Sequence, residues 1–401
     1  MKILWVNPNF LHPTTKGGQI RTLEMLRCLL RDHEIHYVAF ADPAHPEGPA
    51  RACEYATVAY PIAHQPPARG TTAFAAQALL RLVSSLPLAV SRWHSGAMSR
   101  EVETLLREHT FDSVVCDFLA PAPNFPSLSG CVLFQHNVET VIWRRHAETA
   151  KGLLRRAYFG LQARRMEKYE RACCRQARHV IAVSEIDALR MRDWFEVPEV
   201  SWVPTGVDLD YFRPAWFPQE TTSDLVFTGS MDWMPNIDGV LWFVSEVLPL
   251  IHARRPETRV AIVGRDPGAA LRQLAADDPL VRVTGTVPDI RPWLWGATAS
   301  IVPLRVGGGT RLKIFEAVAA RVPVVSTTIG AEGLPLRHPD QILLADSPAD
   351  FAAACIELLE EKDRRAAIEQ SALDHVAAHF SWTSVTAQFA SILERFPYSR
   401  P

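Results

Sequence analysis

The sequence predicts an α/β protein built from two doubly wound parallel sheets that face each other across a cleft. Short apolar, β-branched runs alternate with longer helix-periodic stretches along the whole chain, the pattern of parallel strands joined by crossover helices. The alternation breaks once, in a proline-rich stretch at 203–218. The length, 401 residues, points to two or three domains at roughly 150 residues each.

In chain order, the strand candidates are 3–6, 35–40, 113–116, 131–135, 179–183 and 201–203, then 224–227, 259–263, 281–284, 299–302, 323–326 and 341–344. Helices are expected at 19–30, 100–108, 140–177, 237–252, 311–320, 351–360 and 382–395. Val203-Pro-Thr-Gly-Val-Asp-Leu-Asp-Tyr-Phe-Arg-Pro214 and Phe217-Pro218 interrupt the rhythm. The expected division is therefore a first domain at 1–205, a linker at 206–222 and a second domain at 223–381. The last helix and tail, 382–401, could pack on either domain. Ligands of such sheets bind at the carboxyl ends of the strands, so two facing domains imply a site between them.

Composition narrows the function classes. Hydrophobic residues make up 48% and charged residues 21%, which excludes a disordered chain or a fibre. Lys plus Arg number 42 against 44 Asp plus Glu, so no global positive field favours nucleic acid. The seven Cys form no C-x-x-C pair, consistent with a reducing compartment and no disulfide frame. The apolar run at 3–6 is too short for a signal-peptide core, and no uncharged stretch reaches the ~18 to 20 residues of a membrane span. The expectation is a cytoplasmic protein.

The most informative segment is Ile301-Val-Pro-Leu-Arg-Val-Gly-Gly-Gly-Thr-Arg-Leu-Lys-Ile-Phe-Glu316. A strand ends, three glycines (Gly307, Gly308, Gly309) follow, and a helix opens near Thr310. Such a turn exposes backbone N–H groups to an anion at the positive end of a helix. Arg305, Arg311 and Lys313 add cations around it. Glu316 lies two turns into the helix, roughly 9 Å from its start at 1.5 Å per residue. That is the reach from a diphosphate to a ribose diol.

Other features are weaker on their own. Thr15-Lys-Gly-Gly-Gln-Ile-Arg21 opens the first helix with Gly17 and Gly18 but lacks the dinucleotide glycine spacing. His136, in Phe134-Gln-His-Asn-Val-Glu139, falls at a strand end expected to face the cleft. There it is either a structural residue or a contact to a sugar hydroxyl. Asp208-Leu-Asp210 matches a short metal-binding signature but lies in the interdomain stretch, where a turn cap is the better reading. No other spacing suggests a metal. Residues 144–178 carry eleven Arg or Lys against three Glu, a net +8. The alternatives for that stretch are a solvated face and a peripheral contact with anionic lipid.

Taken together, these motifs resemble the retaining glycosyltransferases of family 4, which have the GT-B architecture of two Rossmann-like domains. The likeness covers nearly the whole chain. It rests on the order of Lys16-Gly-Gly18, Gln135-His-Asn-Val-Glu139, Val203-Pro-Thr-Gly-Val-Asp208 with Tyr211-Phe-Arg-Pro214, and the segment from Leu304 through Lys313 and Phe315-Glu-Ala317 to Val322-Pro-Val-Val-Ser326. It looks closest to the bacterial transferases that build surface polysaccharides.

The resemblance implies that the second domain binds a UDP-, GDP- or other nucleotide-diphosphate sugar, and that the first binds a glycan or lipid-linked acceptor. Glu316 would hold the ribose, and Gly307 to Arg311 with Gly229 would take part in donor binding. The Thr286-Val287 turn would touch the base. Gly17 and Gly18 would approach the diphosphate, and His136 the transferred sugar. Arg305 and Lys313 would help offset the departing charge, with no metal and no cofactor.

Two departures stand out. The E-x7-E motif of many members has Gly308 in place of its first Glu, and the turn Phe227-Thr-Gly-Ser-Met-Asp-Trp-Met-Pro-Asn236 carries no cation. They keep open a non-catalytic protein that binds a nucleotide sugar or a partner; a nucleotide-sugar epimerase on the same scaffold is the other alternative.

Overall fold

The computed structural model describes residues 1–14, 17–63, 86–149, 152–231, 233–306 and 312–400. It divides into two compact units, one of Met1–Pro204 with Val385–Pro401 and one of Thr205–Ser384.

Among the described residues the first unit holds seven strands: β1 (Lys2–Val6), β2 (Glu34–Ala41), β3 (Val58–Ala63), β4 (Ser113–Asp117), β5 (Val132–Phe134), β6 (His179–Ala182) and β7 (Val200–Trp202). All neighbours pair in parallel, in the order β3-β2-β1-β4-β5-β6-β7. Its main helices are α1 (Gly17–Leu29), α2 (Gly96–Glu108), α3 (Glu139–Thr149), α4 (Leu153–Gln176) and α5 (Glu185–Phe195). The central strands are buried on both faces, as a doubly wound sheet requires. The edge strand β3 contains Pro61, whose missing N–H is tolerated at an edge.

The second unit holds β8 (Ser223–Thr228), β9 (Val260–Val263), β10 (Val281–Gly285), β11 (Ala297–Val302), β12 (Val324–Ser326) and β13 (Leu343–Leu344), all parallel, in the order β10-β9-β8-β11-β12-β13. Its helices include α6 (Met234–Trp242), α7 (Ala269–Asp277), α8 (Leu312–Ala319), α9 (Pro348–Glu360) and α10 (Lys362–Phe380). The last helix, α11 (Trp382–Arg395), belongs from Val385 onward to the first unit. There Phe389 packs against Trp5 and Phe134, with ring centroids 5.5 and 5.0 Å away.

Two sequence expectations change. The helix expected at 140–177 is two helices, α3 and α4, because Gly152 takes φ +90° immediately before α4. The expected linker at 206–222 is structured within the second unit. Asp208 caps the short helix Leu209–Phe212 by accepting from Tyr211 N at 2.8 Å, and Phe212 joins the core.

One helix bears on the expectation about membrane spans. The stretch Met234–Arg254 has the length and composition of a span. Its inward residues Val240, Phe243, Val247, Leu248 and Ile251 pack into the second unit's core, which makes it a core helix. It passes through a π-turn at Phe243–Val247 just ahead of Pro249, which cannot donate to the turn before it.

Candidate functional site

In each sheet the chain winds outward from its first strand and then returns to that strand's other side. The switch point lies between β1 and β4 in the first unit and between β8 and β11 in the second. Loops at the carboxyl ends of those strands are where doubly wound sheets bind ligands. Among the described residues, Gly17, Gly18 and His136 lie by the first of these edges, and Gly229, Lys313 and Glu316 by the second.

In the second unit, β8 runs into Gly229. A β-carbon there would lie 2.8 Å from both Lys313 Nζ and Asn236 Nδ2, so a larger residue would have to displace the ends of these two side chains. Lys313, in the first turn of α8, donates to Asn236 Oδ1 at 2.9 Å and holds its ammonium 4.2 Å from the Phe227 ring centroid. Asn236 donates in turn to the Ser230 carbonyl at 2.8 Å. The turn that lacks a cation in sequence thus receives one from α8. It gains a second from Arg265, after β9, whose Nε donates to Ser230 Oγ at 2.8 Å. Sequence reasoning missed both Asn236 and Arg265.

Arg305 departs from expectation. It forms a two-pronged pair with Asp238 on α6, at 3.0 and 2.6 Å, so its charge is already matched. Glu316 sits one turn after Lys313 on α8, partly buried, and no described residue donates to its carboxylate. Burial pushes its carboxyl up to about 7, with the Lys313 charge opposing. Gly307, Gly308, Gly309, Thr310 and Arg311 lie outside the described residues. Thr286 and Val287 follow β10, two strands away from β8. Gly285 makes the turn at φ +73° and leaves Thr286 exposed. Just beyond, Arg291 pairs with Asp289, lies 3.9 Å from the Tyr211 ring centroid and donates to the Tyr211 carbonyl at 3.1 Å.

In the first unit, His136 follows β5 and is buried, with its Nε2 2.8 Å from Asp117 Oδ1. Phe118, at φ +68°, stacks on the imidazole with centroids 3.8 Å apart. A β-carbon on Gly18 would meet the Phe118 Cζ at 2.8 Å and His136 Nδ1 at 3.6 Å. The start of α1, with Gly17 and Gly18, therefore adjoins the free edge of the imidazole. Burial lowers the His136 pKa, and Asp117 only partly offsets this, so the ring is neutral at pH 7.

Behind them lies Arg21, fully buried. It donates to the Val203 and Pro204 carbonyls and lies 5.2 Å from the Phe134 ring centroid. Burial pulls its guanidinium down to about 9, with Asp117 opposing.

The loop that carries His136 is anchored from α4. Glu170, fully buried, accepts from Glu139 N at 2.9 Å, Thr140 N at 2.8 Å and Thr140 Oγ1 at 2.5 Å. It fills the place of a cap at the start of α3 although it comes from another helix. Of the expected basic stretch, Arg144 and Arg171 pair with Glu167, and Arg175 with Glu196. At the start of α4, Leu153 and Leu154 are 87% and 89% exposed beside Arg155 and Arg156.

Asp208 and Asp210, the short acidic signature, are used as a helix cap and as a partner of Arg213. No group of metal-ligating side chains occurs among the described residues.

Sequence and structure comparisons agree on the class that this architecture defines. The family model described as Glycosyltransferase Family 4 matches residues 15–211, and that described as Glycosyl transferases group 1 matches 222–361. The chain belongs to the family 4 glycosyltransferases of the GT-B fold. Among curated proteins it is similar to a phosphatidyl-myo-inositol mannosyltransferase of Mycolicibacterium smegmatis, 28% identical over 316 residues, 76% of this chain and 77% of that one. It is also similar to a D-inositol 3-phosphate glycosyltransferase of Thermobispora bispora, 28% identical over 247 residues, 54% of this chain and 55% of that one. The second match thus spans only about half the length of the relative. Among solved structures, sucrose-phosphate synthase from Thermosynechococcus elongatus shares the fold at TM-score 0.69 and 15% identity, with 98% of each chain covered. An Anabaena protein solved in complex with UDP does so at TM-score 0.68 and 13% identity, covering 98% of this chain and all of that one.

Proposed function

We propose that this chain is a retaining, metal-independent glycosyltransferase that moves a sugar from a nucleotide-diphosphate donor to a hydroxyl of a glycan or lipid-linked acceptor. The observation that carries the reading is the Lys313 ammonium held by Asn236 in the space left by Gly229, with Glu316 one turn further along the same helix.

A diphosphate at that switch point meets Lys313, Arg265 and the start of α8, fixed charges and dipoles that offset its negative charge as the glycosidic bond breaks. Glu316 accepts from the ribose hydroxyls. Front-face attack, with the leaving phosphate taking the acceptor proton, retains the anomeric configuration. A uridine or guanosine donor is supported by the UDP-bound Anabaena structure and by relatives described as GDP-mannose-dependent. A lipid-linked acceptor is supported by the relatives that act on phosphatidylinositol compounds and by the exposed Leu153-Leu154 pair beside two Arg, which suits an anionic bilayer surface.

The test is thermal-shift binding of UDP, GDP, ADP and TDP and their sugar conjugates, with and without chelator. A ligand at a hundred times its dissociation constant adds ~2.7 kcal/mol. A chelator-insensitive shift with one base, lost in Glu316→Ala, followed by proton NMR of the product anomer, supports the reading. No shift with any of them overturns it.

A further inference from the structure

Asp117 lies at the end of β4, fully enclosed, and its two oxygens face four hydrogen-bonding groups. Oδ2 accepts from Trp5 Nε1 at 2.9 Å, Asn7 Nδ2 at 2.6 Å and Thr22 Oγ1 at 2.9 Å. The Asn7 orientation is fixed independently, because its Oδ1 accepts from Asn9 N at 3.0 Å. Indole and amide N–H groups can only donate. Oδ2 is therefore saturated as an acceptor, and the carboxylate must take its fourth bond from a proton on His136 Nε2, 2.8 Å from Oδ1.

The imidazole is neutral, so a proton on Nε2 leaves a lone pair on Nδ1. Nδ1 receives no hydrogen bond from a described residue. It points to the start of α1, 3.6 Å from where a β-carbon of Gly18 would be. Phe118 stacked on the ring and Phe134 beside it, 4.5 Å between centroids, prevent the ring from turning over.

We propose that Asp117 is the positioning residue that locks His136 in the Nε2–H tautomer, so that Nδ1 accepts a hydrogen bond from a substrate sugar hydroxyl beside Gly18. The substrate half of this proposal rests on the transferase reading, whereas the tautomer does not. Asp117 selects the ring's polarity rather than its charge. With Asn at 117, the three donors claim the single carbonyl oxygen, and the amide NH₂ faces Nε2. The ring must then accept at Nε2 and carry its proton on Nδ1, where it repels a hydroxyl placed to donate.

The experiment is long-range ¹H–¹⁵N NMR of the full chain labelled at histidine, at pH 7, with the His136 signals identified by their loss in His136→Gln. The expected result is an Nε2–H tautomer in the wild type and an Nδ1–H tautomer in Asp117→Asn. Sugar transfer in Asp117→Asn should fall on the order of a hundredfold or more, as expected when a catalytic imidazole is held in the wrong tautomer, with nucleotide affinity unchanged. A wild-type ring protonated on Nδ1, or on both nitrogens, overturns the proposal. A tautomer exchange that leaves transfer intact overturns it as well. An Nε2–H wild type that transfers no sugar supports the tautomer and removes the transferase reading instead.

Discussion

Lys313 donates to Asn236 Oδ1 at 2.9 Å in the space beside Gly229, where a β-carbon would lie 2.8 Å from its ammonium. The consequence is a cation aimed at the switch point of the second sheet, whereas Arg305, also a candidate from sequence, is held by Asp238. Lys313→Met should therefore weaken binding of a nucleoside diphosphate by about 1.5–3 kcal/mol, the range for a hydrogen bond to a charged group. Arg305→Met should change it much less. Isothermal titration of both variants with the base found by thermal shift decides it; equal losses would return Arg305 to the site.

Glu316 makes the site sensitive to pH near neutrality. Its folded-state pKa, about 7, lies above the usual 4.5 because burial disfavours the charge. An ionised carboxylate is the better acceptor for a ribose diol, so donor binding should strengthen from pH 6 to pH 8 and release protons. A nucleotide sugar is the right probe, since its diphosphate does not titrate there. In the free protein the sign is opposite. The raised pKa contributes stability that is full below pH 4.5 and is lost as pH rises through 7. Glu316→Gln should flatten both profiles, read by calorimetry in two buffers and by thermal melts.

The fold was largely legible because its strands are short apolar runs bounded by Gly or Pro, and parallel sheets buried on both faces demand that pattern. Strand β3 was not, because Val58–Ala63 mixes small residues with Pro61, a composition tolerated only at an edge. The helix break at Gly152 was visible as a glycine, but its positive φ was not. At the site, glycines, His136, Lys313 and Glu316 stood out because their spacing is local. Asp117, Arg21 and Glu170 did not, since their roles arise from contacts between residues 19 to 183 positions apart. A lone Asp ending an apolar strand looks the same whether it faces solvent or four donors.

Gly18→Ala tests the packing at the start of α1. The new methyl group would stand 2.8 Å from the Phe118 Cζ, within a contact that ordinary β-carbons do not make. Phe118 cannot retreat without leaving its stack on His136. The variant should fold, keep its affinity for the nucleotide diphosphate and lose transfer, with the larger change in kcat. Unchanged kinetics would mean that the ring moves without disturbing the imidazole.

Glu170 links two helices through one carboxylate. It holds the first two N–H groups of α3 and the Thr140 hydroxyl from the middle of α4, and Gln135 Nε2 approaches at 3.4 Å. Burial pushes its carboxyl up to about 7, with the Thr140 and Glu139 hydrogen bonds opposing. Glu170→Ala leaves those donors without a partner in the interior, so it should cost about 3 kcal/mol of stability. Urea unfolding followed by circular dichroism measures this. The damage should spread to chemistry as well, because His136 stands three residues before Glu139 in the loop that Glu170 anchors. The expected result is a lower midpoint together with reduced transfer at temperatures where the variant remains folded. A loss within about 0.5 kcal/mol, the range of ordinary surface substitutions, would mean that water enters and caps α3 in place of the carboxylate.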